Sequence, residues 1–437
     1  MLGSFGDAFR LPDLKRRILF TLGALFIFRL GAHIPAPGID TEAMAALFNS
    51  GSGGILDFLN LFSGGALSRF SIFSLGVAPY INSSIVMQLL VVIFPYLEKM
   101  QKDNEEGRKK IIQWTRYGSI PFAVVQAIGL TTWLGSVSNP PIFSGGVFDA
   151  FVVAITLTAG SIAVMWLGEE LSDHGIGNGI SLLIFAGIVA RMPGAVMQTW
   201  RLLIAGSMNI FVLLGVLILM VIVVAACILL QEGQRRLPVQ YAKRVVGNKV
   251  YGGQSTFIPL RVNQSGVIPI IFASSLLIFP TTVANFLGDS TAGRFLRSLF
   301  AYGSWFYMIC YILLIVFFSY FYTAVVFNPN DIANNMKKYG GFILGIRPGQ
   351  PTADYITKVM ERITLGGAIF LAVVALVPNL MSGLMGANAF YFGGTAVLIV
   401  VGVALDTVHQ IEAQLLMRHY DGILKKSGGK AGSLLRM

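Results

Sequence analysis

Four histidines, two cysteines and 21 acidic residues are the groups in this 437-residue chain that could carry acid–base, nucleophilic or metal chemistry. Their spacing assembles none of it. His33, His174, His409 and His419 are scattered, and no H-E-x-x-H or Cys/His ligand pattern arises. Cys227 and Cys310 both fall inside apolar runs, where a thiol acts as a small apolar side chain and implies no disulfide framework. A G-x-x-x-x-G-K-[ST] phosphate loop is missing, so nucleotides are not hydrolysed through that device. Acidic groups collect as Glu169, Glu170 and Asp173, and again as Asp406 and Glu412. Solute transporters coupled to ions keep ionisable groups inside their spans, and carboxylates within the apolar runs are scarce here. The expectation is a protein with no catalytic residues, no metal and no cofactor.

Basic side chains offer a different chemistry, recognition. Arg347 stands in Gly345-Ile346-Arg347-Pro348-Gly349, where proline and glycines shape a loop tip that presents a guanidinium. A second group comprises Arg235, Arg236, Lys243, Arg244, Lys249 and Arg261. Two long loops carry these groups. Such loops suit docking of a partner with an acidic surface, or of one bound to ribosomal RNA. Charge that orients the chain against anionic lipid is the alternative.

The elements that hold these residues follow from composition. The chain has 55% hydrophobic and only 12% charged residues, with a mean hydropathy of +0.71. A soluble domain carries about 25% charged residues. A helix crossing a bilayer needs about 20 apolar residues. Ten stretches qualify, near 18–34, 73–97, 113–134, 148–168, 177–195, 209–231, 266–284, 303–327, 363–383 and 392–411. The basic start Lys15-Arg16-Arg17 resembles a signal peptide, but the apolar run is too long and polytopic sequence follows. Of the 32 Lys and Arg residues, 26 fall in the tails and in alternate loops. Five (Arg69, Arg191, Arg201, Arg294, Arg297) fall on the opposite side. That asymmetry predicts both termini in the cytoplasm. Arg29 lies inside the first span and is expected to snorkel toward the outer headgroups.

Two strings recur. Gly76-Val77-Ala78-Pro79-Tyr80-Ile81 opens the second span, and Gly266-Val267-Ile268-Pro269-Ile270-Ile271 opens the seventh. More loosely, Gly179-Ile180-Ser181-Leu182-Leu183-Ile184 in the fifth matches Gly394-Thr395-Ala396-Val397-Leu398-Ile399 in the tenth. Spans two and five therefore match seven and ten. Five is odd, so the second half starts from the opposite face and the halves are inverted. The expected halves are 1–200 (spans one to five) and 201–437 (spans six to ten, with the long 6/7 and 8/9 loops). Between spans one and two, residues 54–65 are too apolar for a solvated loop and too short to cross. A re-entrant segment or a helix lying on the outer surface fits them.

Four strings carry a family resemblance: Asn60-Leu61-Phe62-Ser63-Gly64-Gly65-Ala66-Leu67, Gly175-Ile176-Gly177-Asn178-Gly179-Ile180-Ser181, Gln254-Ser255-Thr256 and Gly345-Ile346-Arg347-Pro348-Gly349. They closely resemble the bacterial SecY family, over about Leu14 to Ile423. The resemblance implies an all-α, polytopic membrane protein with ten transmembrane helices in two inverted five-helix halves around a central pore. It implies a protein-conducting channel in the cytoplasmic membrane that exports secretory chains and releases membrane segments laterally. The pore ring would be Val77, Ile81, Ile180, Ile184, Ile271 and Ile399. A re-entrant plug at about 55–67 would include Ile55, Leu56, Phe58, Leu59, Leu61, Phe62, Gly64 and Gly65. A lateral gate would carry Asn82, Gln88, Asn263 and Phe279. Arg235, Arg236, Lys243, Arg244, Lys249 and Arg347 would dock the motor ATPase SecA or the ribosome. Further implied partners are SecE, SecG, the signal-bearing polypeptide and membrane lipid. The rival reading from the residues is an inverted-repeat transporter for a small solute.

Overall fold

The computed structural model describes residues 11–39, 43–44, 60, 63–103, 105–137, 146–206, 209–241, 244–246, 249–251, 255–286, 290–301, 304–385 and 394–434. Ile55, Leu56, Phe58, Leu59, Leu61, Phe62 and Lys243 lie outside the described residues. Each of the ten apolar stretches coincides with helix. These are α1 (Pro12–Gly31), α2 (Ala78–Ile93) with α3 (Pro95–Asp103), α4 (Glu105–Val137), α5 (Val147–His174), α6 (Gly179–Ile204), α7 (Ile210–Glu232), α8 (Ile268–Phe286), α10 (Trp305–Val326), α12 (Gln350–Met385) and α13 (Gly394–Leu434). Two short helices, α9 (Thr291–Leu299) and α11 (Pro329–Lys338), lie in connections. Among the described residues, six helices are long and apolar enough to cross a membrane unaided. A seventh is obtained if α2 and α3, bent by 102° at Phe94, count as one span. α7 shows what solvent this surface requires. Phe211, Leu214, Leu217, Ile218, Val221, Ile222 and Leu229 are all exposed on it. So long an apolar face is tolerable only against lipid.

Two compact units divide the chain. The first comprises residues 1–84, 112–194 and 399–437. Its cores sit at both ends of the helices. Leu14 of α1, Ile176 and Ile411 of α13 pack together. Elsewhere Ala36, Met44, Leu67 and Phe70 pack on Ala127, Leu134, Val153, Ala154 and Leu157 of α4 and α5. The α5–α6 connection is a four-residue turn, and glycine is required for space on the helices that flank it. A Cβ on Gly179 would run into the carbonyl oxygen of Gly168, and one on Gly168 would sit 3.0 Å from Ile180.

The second unit comprises residues 85–111 and 195–398. Its helical part is braced by Phe272 of α8, edge-on to Phe318 of α10 at 5.6 Å. Its polar part departs from the helical expectation. Residues 234–261 form strands β1 (Gln234–Tyr241), β2 (Arg244–Val246), β3 (Lys249–Tyr251) and β4 (Ser255–Arg261). β1 pairs antiparallel with β4, from Gln234↔Arg261 to Gln240↔Ser255. On its other edge β1 takes β5 (Gly341–Phe342), which comes from the 8/9 loop. Leu237 and Val239 alternate inward and meet Leu260, Met336, Ile343, Ile356, Val359 and Met360. The two long loops and the start of α12 are therefore one folded module with its own apolar core.

Gly179→Ala is expected to destabilise the detergent-solubilised chain by about 1–3 kcal/mol, read as a lower melting midpoint. Gly194→Ala in the same helix, where an added Cβ meets nothing within 4 Å, is expected to be neutral or slightly stabilising. Leu260→Ala removes a side chain with 0% exposure from the module core. A cost of about 2–5 kcal/mol is expected there, measured as faster amide exchange in β1 and β4 with α5 unchanged.

Candidate functional site

The repeated strings fold alike. Gly76 and Gly266 each take a left-handed φ, +54° and +61°, and helix begins two residues later, at Ala78 and at Ile268. Each string then closes a first turn through its valine carbonyl. Ile81 N donates to Val77 O at 3.1 Å, and Ile271 N donates to Val267 O at 3.3 Å. Even the glycine carbonyls are capped in parallel: Gly76 O accepts from Ser161 Oγ at 3.2 Å, and Gly266 O from Asn263 Nδ2 at 2.9 Å. Val77, Ile81, Ile184, Ile271 and Ile399 are buried and Ile180 is half-buried. Asn263 is buried with its amide used in the cap, Asn82 and Gln88 are half-buried on α2, and Phe279 is exposed on α8.

The Gly64–Gly65 junction is a knot of hydrogen bonds. Asn60 O accepts from Gly65 N at 2.8 Å, and its Oδ1 accepts from Ser68 N at 3.0 Å. Ser63 Oγ accepts from Leu67 N at 3.2 Å, and Ser74 Oγ donates to Ala66 O at 3.2 Å. Both glycines take left-handed φ values, +68° and +85°. Arg29 is the difference from expectation. Rather than reaching for headgroups, its Nη1 donates to Gly64 O at 2.8 Å. Beyond the knot, Ile34 O accepts from Ile72 N and Phe70 O from Ala36 N, tying the chain back to the end of α1.

The Gly175–Ser181 string forms the α5–α6 turn, and side chains satisfy its backbone. Gln410 Oε1 of α13 accepts from Gly177 N at 2.7 Å, and Thr21 Oγ1 of α1 accepts from Ile176 N at 3.2 Å. Asn178 Oδ1 caps α6 by accepting from Ser181 N at 3.1 Å. These contacts hold Ile180 and Ile184 in position from both sides of the turn. Two members of the acidic cluster beside it are partnered. Glu169 Oε1 accepts from Arg116 Nε at 2.7 Å, and Glu170 pairs with His174 at 3.0 Å. Among the described residues no group of three His, Cys, Asp or Glu side chains could hold a metal ion.

The basic residues sit on the folded module. Arg235 and Arg236 are exposed on β1, and Arg236 lies over the Phe257 ring at 4.7 Å. Arg244 and Lys249 fall on β2 and β3. The Arg347 tip is held on both flanks: Gly345 and Gly349 take φ of +79° and +108°, Thr352 Oγ1 donates to Arg347 O at 2.8 Å, and Ile346 packs on the module core. Arg347 itself is exposed. Sequence reasoning missed Phe257, Gln410 and Gly187. The aromatic in Ser255–Arg261 was a weak signal for the first. Nothing local marked the other two, because their partners are distant in sequence.

Three kinds of similarity bear on this arrangement. The SecY family profile matches residues 71–408. The protein translocase subunit SecY of Streptomyces griseus is 45% identical, over 97% of this chain and 100% of its own length. Its counterpart in Escherichia coli K12 is 46% identical, over 96% of both. A solved structure of a protein conducting channel superposes with a TM-score of 0.64 at 20% identity, covering 91% of this chain and 92% of the other. Sec61 in the canine ribosome–channel complex from the endoplasmic reticulum gives 0.60 at 20% identity, with the same coverage. Long helices with lipid-suited faces, repeated helix entries and full-length relatives agree: the chain belongs to the SecY family of multi-pass membrane proteins.

Proposed function

We propose that the chain is the channel-forming subunit of a protein translocase, a passive pore for secretory polypeptides rather than an enzyme. The observation that carries this reading is full-length similarity to protein translocase subunits, joined to apolar side chains at all six ring positions. Branched apolar side chains offer an ion no coordination and close a pore by dewetting. They also surround an extended chain without demanding a sequence. Val77 and Ile81, like Ile180 and Ile184, are spaced i, i+4 and face one way along a helix. The halves 1–200 and 201–437 are related by inversion, which the matching entries at Gly76 and Gly266 support.

Residues 55–67 plug the outer funnel, and the glycine knot anchors one end. Asn82, Gln88, Asn263 and Phe279 line a lateral gate through which apolar segments leave for lipid. The polar members are costly against hydrocarbon, so the seam stays closed at rest. Energy comes from partners: SecA or the ribosome docks on Arg235, Arg236, Lys243, Arg244, Lys249 and Arg347. The rigid, glycine-bracketed tip supports that role, because a preorganised guanidinium loses little entropy on binding an acidic surface. SecE and SecG complete the assembly. The membrane is the cytoplasmic one, with both termini inside, as the distribution of Lys and Arg implies.

A stalled secretory chain is expected to crosslink to cysteines placed at Ile81 and at Ile271; no adduct at either position would contradict the pore. Arg347→Glu reverses the charge of the tip and is expected to reduce ATP-driven export into vesicles at least ~10-fold, since a buried charged contact is worth about 1.5–3 kcal/mol. Undiminished export would remove the tip from docking.

A further inference from the structure

Arg29 is the one basic residue within the first span, and the structure gives it a specific partner. Its guanidinium donates to the carbonyl of Gly64, 35 residues away. No ion pair of Arg29 occurs among the described residues. Two carbonyls of this neighbourhood are served from outside it, Phe70 O by Ala36 N and Gly64 O by Arg29. The turn from Asn60 to Ser74 satisfies Gly65 N, Ala66 O, Leu67 N, Ser68 N and Ser71 N from within itself. Gly64 O is satisfied from outside, by α1.

The opposite side of the same residue is seated as closely. A Cβ on Gly64 would lie 2.7 Å from the Cα of Gly187 in α6, and its φ of +68° already favours glycine. Gly64 is therefore clamped between a side chain of α1 and the backbone of α6. The aliphatic part of Arg191, one helical turn beyond Gly187, stands 3.9 Å from the place a Gly65 Cβ would take. The first span is anchored to this turn a second time, by the stacked rings of Phe28 and Phe73 at 6.1 Å. Leaving the seat would expose backbone at Gly64 and strand a guanidinium, both costly away from water.

We infer that Arg29 is a positioning residue for gating: its hydrogen bond to Gly64 O seats the Gly64–Gly65 turn against α6 and must break when the turn moves. This rests on the plug reading above, since it assigns a hold to the segment that reading lets move. The charged donor explains why arginine, and not an apolar residue, stands near the outer end of an apolar helix. Lysine retains the charge as a compact ammonium without the planar fork, and so retains part of the hold.

The test uses the full chain, co-expressed with its membrane partners and reconstituted in planar bilayers. Arg29→Gln is expected to raise the resting open probability about tenfold or more, as loss of a charged hydrogen bond predicts. Arg29→Lys is expected to fall between the two. A second readout follows the turn itself. With Cys227 and Cys310 replaced by alanine, Ser68→Cys is labelled from the outer side by a membrane-impermeant maleimide, and Arg29→Gln is expected to speed labelling several-fold. Unchanged leak with unchanged labelling overturns the inference. Should deletion of 57–65 leave the channel closed while Arg29→Gln still speeds labelling, the plug reading fails and the positioning role stands. If Arg29→Gln does not accumulate, Gly64→Ala disturbs the same seat with Arg29 intact; labelling no faster than in the unaltered turn overturns the inference equally.

Discussion

A backbone amide or carbonyl inside a bilayer must find its hydrogen-bond partner within the protein. Helices meet that demand along their length and fail it at their ends. The chain spends its glycines and short polar side chains at those failures. Gly76 O and Gly266 O are capped by Ser161 and Asn263, Gly177 N by Gln410, and Gly64 O by Arg29. Each cap joins a helix entry or turn to another element or to the segment before it. The same contacts that satisfy the backbone therefore position the apolar side chains around it.

Outside the membrane the opposite arrangement prevails. The 6/7 and 8/9 loops face water, and they fold by burying Leu237, Val239, Leu260, Met336 and Ile356 beneath a charged surface. β5 completes the sheet from a different loop. The exposed arginines of β1 thus stand on a packed base, and the tip at Arg347 is shaped by glycines whose conformations other residues adopt at a cost of about 1–2 kcal/mol.

Helices and their order were legible, because a bilayer imposes a length and an apolarity that leave a direct trace in residues 209–231 or 303–327. Also legible were the repeated entries, since a turn with φ near +60° demands glycine. The sheet was not. β1 carries the alternation Leu237, Val239, Tyr241, but Arg235, Arg236 and Pro238 interrupt it, and a proline in a central strand argues against strand. β5 is two residues long and exists only because β1 offers it an edge. Arg29 was misjudged for a related reason. Snorkelling is a property of one helix in lipid, while its actual partner arrives from a separate segment.

The sequence by itself determined the class of solvent, the number of apolar helices, the asymmetry of charge and the apolar side chains in the repeated helix entries, since each depends on residue type counted along the chain. Tertiary structure decided which carbonyl Arg29 serves, which glycines touch backbone, and that two basic loops form one module. Those outcomes depend on hydrogen bonds and close approaches between residues 35 to more than 200 apart, and no periodicity in a sequence records them.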